Sequence, residues 1–324
     1  PWAAVYAAPA RRHGPHRLDH ADVDRLQTLI QALRTLDNLH GGGMARQAVL
    51  GQLTGVTDLI AAATYTDGVG QRLFTALGDL AGIAGWMSHD VGLHQPAQTY
   101  FLLALRAAKE ARNPHLGAHI LNCMARQATH LNRPDDALEL VHLALHGVRR
   151  AATPTVRAIL HSLEARAHAM KGNAVEFAHA AHQAETAFAA GGESADEPVW
   201  ARFFDTSEFH ATIGVGHQIL ARQTDPAHTL PAVGMIRDAI AARPPERHRS
   251  LAFDHIGLSR ALLVAEETEE ALFHIRAALD LLTDLTSTRV LDRLSEVTDE
   301  ARRAASRGDV HAQTLIEVAH HHTK

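Results

Sequence analysis

Residues 79–113, DLAGIAGWMSHDVGLHQPAQTYFLLALRAAKEARN, and residues 115–150, HLGAHILNCMARQATHLNRPDDALELVHLALHGVRR, carry one pattern twice. In each, an amphipathic helix runs into a short polar turn (Gly92 to Gln95; Asn132 to Asp135). A second helix then opens on a small residue, Ala97 or Ala137. Four residues on stands an apolar side chain, Phe101 or Val141, and seven on an alanine, Ala104 or Ala144. Twelve residues back stands another small residue, Gly85 or Ala125. Small residues at those offsets let two antiparallel helices approach closely, and the larger apolar residue fills the space between neighbouring pairs.

The pattern recurs beyond these two units. With Ala97, Ala137, Phe177, Ala232 and Ala271 as anchors, the residue seven later is always alanine, and the spacings are 40, 40, 55 and 39. This predicts an all-α chain, a tetratricopeptide-like superhelical array of antiparallel helix pairs with one insertion. Phe177 departs from the small-anchor rule, and Leu220 stands where the fourth unit should have a small residue.

The expected organisation is a linker or arm over 1–18, an N-terminal helical segment over 19–78, and about five helix pairs over 79–284. The insertion falls near 191–231, and a capping helix and tail fill 285–324. Trp2 and Tyr6 are the possible docking anchors of the arm. In the second segment, Val23, Leu26, Leu29, Ile30, Leu33 and Leu36 form one apolar stripe that stops at Gly41-Gly42-Gly43. A phosphate loop needs a strand before it and Lys-Ser or Lys-Thr after it; here a helix precedes and Met44-Ala45-Arg46 follows, so the glycines read as a helix corner. The helix from about Thr288 to Ser306 carries Arg289, Asp292, Arg293, Glu296, Asp299, Arg302 and Arg303, and is expected to be a solvent-facing cap.

Composition narrows the function classes. Aromatic residues are 5% of the chain, against a large sheet. A net charge of −5 offers no basic field for phosphates of nucleic acid. No apolar run reaches membrane-spanning length. The single cysteine, Cys123, excludes internal disulfides and fits a reducing, cytoplasmic compartment.

Chemistry is expected on the first helices of the pairs, which line the concave face of such an array. Their non-packed side carries Asp79 and Trp86, then His119, Asn122 and Arg126, then Ser162 and Arg166. Asp205, Glu208 and Thr212 follow in the fourth unit, and Asp254 and Arg260 in the fifth. Asparagine grips a peptide backbone by donating and accepting at once, and arginine clamps a carboxylate through two parallel bonds. The competing reading is a solvated groove cross-linked by Arg–Asp and Arg–Glu pairs.

Twenty-five histidines include the i,i+4 pairs His115/His119 and His142/His146, with His179/His182 three apart. No HExxH or GxSxG motif accompanies them, and Cys123 falls mid-helix. Neither a metal, another cofactor nor an enzyme activity is expected.

The runs LDNLHGGGMARQ (36–47), LAGIAGWMSHDVGLHQPAQTYFLLALRAA (80–108) and GAHILNCMARQATHLNRPDDALEL (117–140) resemble the C-terminal half of actinobacterial transcriptional regulators. Those proteins join a xenobiotic-response-element-type helix-turn-helix domain to a tetratricopeptide-like region. The resemblance spans about residues 19 to 300, and its markers are Asp37-Asn38, the glycine corner and Ala84-Gly85-Trp86. By architecture it extends to peptide-sensing quorum-sensing regulators. It implies a short peptide or small-molecule effector, a homodimer, and DNA contact only through a domain outside this chain. The alternative is a stand-alone scaffold that grips a partner protein without DNA.

Overall fold

The structure is a computed structural model and describes residues 17–40, 42–192, 196–282 and 288–321. Trp2 and Tyr6 of the expected arm, Gly41 of the glycine corner and His322 of the tail lie outside the described residues. Fourteen α-helices fill the described chain, and the only strand-like pairing among its residues is an isolated bridge from Arg17 to Thr64.

The helices are α1 (His20–His40), α2 (Gly42–Ala62), α3 (Asp67–Asp90), α4 (His94–Glu110), α5 (Pro114–His130), α6 (Pro134–Val148) and α7 (Pro154–Met170). They continue as α8 (Ala174–Ala189), α9 (Thr206–Gln223), α10 (Thr229–Ala242), α11 (His248–Val264), α12 (Thr268–Asp280), α13 (Thr288–Ala305) and α14 (Val310–His321). The closest packing is within consecutive pairs: α3 with α4, α5 with α6, α7 with α8, α9 with α10, and α11 with α12. The odd helices α3, α5, α7, α9, α11 and α13 also touch one another in sequence, so they form a continuous layer with the even helices behind.

Local chemistry sets the helix ends. Asn113, Thr153 and Asp205 cap α5, α7 and α9 by accepting from the N–H three residues on, at 3.0, 3.2 and 3.0 Å. Pro114 and Pro154 follow two of these caps, where a missing N–H removes nothing from the helix. Between the helices of a pair, the chain turns through a left-handed residue at Gly92, Asn132, Gly172, Glu266 and Gly308. The following N–H then reaches back to a carbonyl of the last turn: Leu93 to Ser88 at 2.8 Å, Arg133 to Ala128 at 2.8 Å, and Asn173 to His168 at 3.0 Å. Glu267 to Leu262 at 2.9 Å and Asp309 to Ala304 at 3.4 Å close the last two corners in the same way.

The anchor offsets correspond to contacts. Ala97, Ala137, Ala232 and Ala271 are fully buried, as are the alanines seven residues on. A Cβ on Gly85 would stand 2.6 Å from the Phe101 ring, so only glycine admits that ring between α3 and α4. In the fourth pair the same close approach is made by Gly214, whose Cβ would stand 2.7 Å from Ile236. The corner there is lengthened by a 3-10 turn at Pro226–His228. That moves the small partner six residues further from its anchor and leaves Leu220 free to be a core residue.

The second part of the insertion is not a loop on the surface. A 3-10 turn at Val199–Ala201 places Trp200 and Phe204 in the core beside α7, and the Trp200 indole stacks on His119 with centroids 4.7 Å apart.

The expectation for α13 requires correction. The helix is two-faced: Asp292, Asp299, Arg302 and Arg303 are exposed, while Val290, Leu294, Val297 and Ala301 are buried. A third set faces neither way: Arg289 pairs with Asp90 of α3, Glu296 and Glu300 pair with Arg260 of α11, and Arg289 and Arg293 line the cleft described below. Charge alone suggested solvent, but Arg289, Glu296 and Glu300 are paired across to other helices, and Arg293 is paired with Glu296 along α13 itself.

Candidate functional site

On the odd-helix layer, α3, α5, α7, α9 and α13 enclose a cleft with about 50 Å³ of room for water-sized occupants. Trp86 and His89 line it from α3, Arg126, Thr129 and His130 from α5, and Arg166 from α7. Thr212 of α9 and Arg289 and Arg293 of α13 complete the polar lining, above an apolar floor of Ile159 and Leu163. The spacings 126/130, 159/163/166 and 289/293 are those of single helix faces, so each helix contributes one stripe.

Helix α13 closes the cleft from above. Arg289 donates to Asp90 at the end of α3 (3.3 Å), and Arg249 of α11 donates to the same fully buried carboxylate at 3.4 Å. The Arg289 guanidinium lies over the Trp86 ring at 5.0 Å and the Phe253 ring at 5.1 Å. His130 of α5 approaches Asp292 of α13 at 3.2 Å.

The guanidiniums divide into two kinds. Arg243 and Arg260 are structural. Arg243 forks onto Asp254 and reaches Glu208 at 2.6 Å, and Arg260 forks onto Glu300 (2.7 Å) and reaches Glu296 (2.5 Å). Burial works against both charges, yet the carboxylates outweigh it and hold both above the ordinary arginine value. Arg126 and Arg166 have no ion-pair partner among the described residues, and the Nε atom of each is buried without a hydrogen bond. Burial first, then the charges of Arg293, Arg126 and Arg289, opposed by Glu296, bring Arg166 down to about 9. Burial, opposed by Asp90 but helped by Arg249, Arg126 and Arg293, brings Arg289 to about 10. A buried guanidinium facing other guanidiniums is expensive unless an anion joins it.

The neighbouring histidines stay neutral. Burial, with Arg289, His130 and His94 nearby, lowers His89 to about 2. Burial, with Arg289 and Arg293 outweighing Asp292, lowers His130 to about 4. Each neutral ring keeps one N–H to donate.

Of the residues expected from the sequence, Trp86, Arg126, Arg166 and Thr212 meet in this cleft. Asn122 and Ser162 stand one turn before Arg126 and Arg166; both are buried, and the Asn122 Oδ1 and Ser162 Oγ have no hydrogen-bond partner. His119 faces Trp200 rather than the cleft. Asp205 caps α9 and pairs with Arg247 at 3.0 Å; Glu208 and Asp254 pair with Arg243, and Arg260 with α13. Those four act as cross-links between helices. Asp79 pairs with Arg34 of α1 at 3.2 Å.

Sequence reasoning missed His89, His130, Arg289 and Arg293. The signal was present in α13, where Arg289, Arg293, Glu296 and Glu300 share one stripe beside the apolar one.

Among the described residues no group of three His, Cys, Asp or Glu could hold a metal ion. Burial, outweighing Arg126 and Arg34, pushes the Cys123 thiol up to about 11, which leaves it a poor nucleophile. No helix among the described residues is long and apolar enough to cross a membrane. No protein-family model, curated protein or solved structure matches this chain.

Proposed function

We propose that this chain is the effector-sensing part of a cytoplasmic transcriptional regulator. In this reading its helix pairs are a tetratricopeptide-like superhelical array that takes a short peptide or small metabolite. It works as a homodimer and reaches DNA only through a domain outside these residues. The observation that carries the reading is the cleft in which four arginines from three helices converge and two lack a carboxylate partner. An enclosed site with a few convergent polar groups is how proteins hold small ligands.

The site also suits a sensor because of what it joins. An occupant would touch α5 and α7 on one wall and α13 on the other. Binding therefore favours the docked position of α13 over an undocked one, and that shift can reposition an attached domain.

The test is the intact mass and N-terminal sequence of the native product. A product heavier by ~60–100 residues, the size of a small domain, with a helix-turn-helix in the added part, supports the regulator. A native product that begins at Pro1 excludes direct DNA binding and favours a scaffold for a partner protein.

A further inference from the structure

We propose that the arginine cleft is a receptor site for a dianion, a phosphate monoester or a dicarboxylate, bound between Arg126 and Arg166. The inference rests on the effector reading above and narrows it to one ligand chemistry.

The charge count leads there. Four guanidiniums line the cleft. Asp90 serves Arg289 together with Arg249, and Glu296 serves Arg293 together with Arg260. Asp292 approaches His130. Among the described residues no carboxylate forms an ion pair with Arg126 or Arg166; Glu296 acts on Arg166 only from a distance, its oxygens held by Arg260 and Arg293. Set against Asp90 and Glu296, the four guanidiniums leave an excess of two positive charges. A phosphate monoester or a dicarboxylate supplies two negative ones. A peptide's terminal carboxylate supplies only one.

Geometry agrees with charge. Each guanidinium presents a planar fork suited to two oxygens of one anionic group. The unbonded Nε atoms of Arg126 and Arg166 are donors not used by the protein. Thr212 adds a hydroxyl, and the His89 and His130 rings line the cleft in the neutral form and add no further charge. Space is the third constraint. At about 10–15 Å³ of such volume per water, the 50 Å³ of the cleft holds one compact anionic head group and no stretch of peptide. The remainder of a ligand would lie outside, towards the mouth.

The test is titration calorimetry of the protein with phenyl phosphate, succinate and, as a single-charge control, acetate. Arg126→Met, Arg166→Met and the remote control Arg237→Met are titrated alongside. The expected result is one-to-one binding of phenyl phosphate or succinate, with acetate weaker by about tenfold or more. Arg126→Met and Arg166→Met each lose about tenfold or more while Arg237→Met binds as the wild type does. Which probe binds tells the phosphate from the dicarboxylate source. No heat from either dianion at ~10 mM, well above ordinary effector concentrations, overturns the proposal. So does binding that Arg237→Met weakens as much as Arg166→Met. Arg166→Lys guards against misfolding, because it keeps the charge and removes the fork; wild-type affinity in that variant also overturns the paired-fork geometry. The mass and N-terminal sequence of the native product decide the regulator reading separately, so the two can fail independently.

Discussion

Asp90 and Arg289 are 199 positions apart in the chain and 3.3 Å apart in the fold. That contact joins the end of α3 to the start of α13, and Arg249 of α11 meets the same carboxylate. The helices in between are thereby bracketed, and the cleft has a roof. Without the roof, Arg126 and Arg166 would face water and their charge would cost little. With it, they are held in a low-dielectric site whose carboxylates are already engaged.

Asp90→Ala should therefore damage both stability and closure. It leaves Arg249 and Arg289 buried without their shared partner, which costs ~3 kcal/mol or more. Urea unfolding should show the loss, and hydrogen exchange should accelerate across α13 more than across α5. Unchanged exchange in α13 would show that the roof does not depend on this pair.

Gly85→Ala tests the close approach of α3 and α4. The new Cβ would stand 2.6 Å from a fully buried Phe101 ring, so the helices must part or the ring must turn. Overpacking of that kind costs ~1–3 kcal/mol, readable as a lower urea midpoint. The double variant Gly85→Ala/Phe101→Leu should recover part of the loss, and no recovery would sink the explanation.

Acid should unfold the protein early. His89 is lowered to about 2, His119 to about 3, and His130, His217 and His255 to about 4, with burial the leading cause in each. The unfolded chain takes up protons below its ordinary value of about 6.5 while the folded chain does not, so stability present above pH 6.5 falls as pH drops towards 4. For the fully buried His89 alone, on the order of 2 kcal/mol is lost by about pH 5. Urea midpoints at about pH 7.5 and pH 5 measure this, and His89→Phe should reduce the difference. Equal midpoints would contradict the burial of these rings as neutral groups.

The helix pairs were legible in the sequence because alanine and glycine at fixed offsets have one physical use, close helix contact. The offset failed at Leu220 because the longer corner at Pro226–His228 moved the small residue to Gly214. The candidate site was half legible. Arg126 and Arg260 read alike, each a polar residue on the free side of a first helix. What separates them is the position of α13, which supplies Glu296 and Glu300 to Arg260 and brings further arginines, not carboxylates, to Arg126. No periodicity in the chain encodes that choice. Trp200 is a similar case: its seat against His119 depends on an insertion folding inward.

The most direct measurement compares the thermal stability of Arg166→Met and Arg260→Met without added ligand. Arg260→Met removes the fork on the buried Glu300 carboxylate, leaving it only Arg222 at 2.8 Å, and should cost ~3 kcal/mol. Arg166→Met removes an unpartnered buried charge and should raise Tm, because a residue kept for a ligand is a burden on the empty fold. Opposite signs are the result predicted here. If both variants melt well below the wild type, Arg166 is another structural cross-link, and the cleft is not a ligand site.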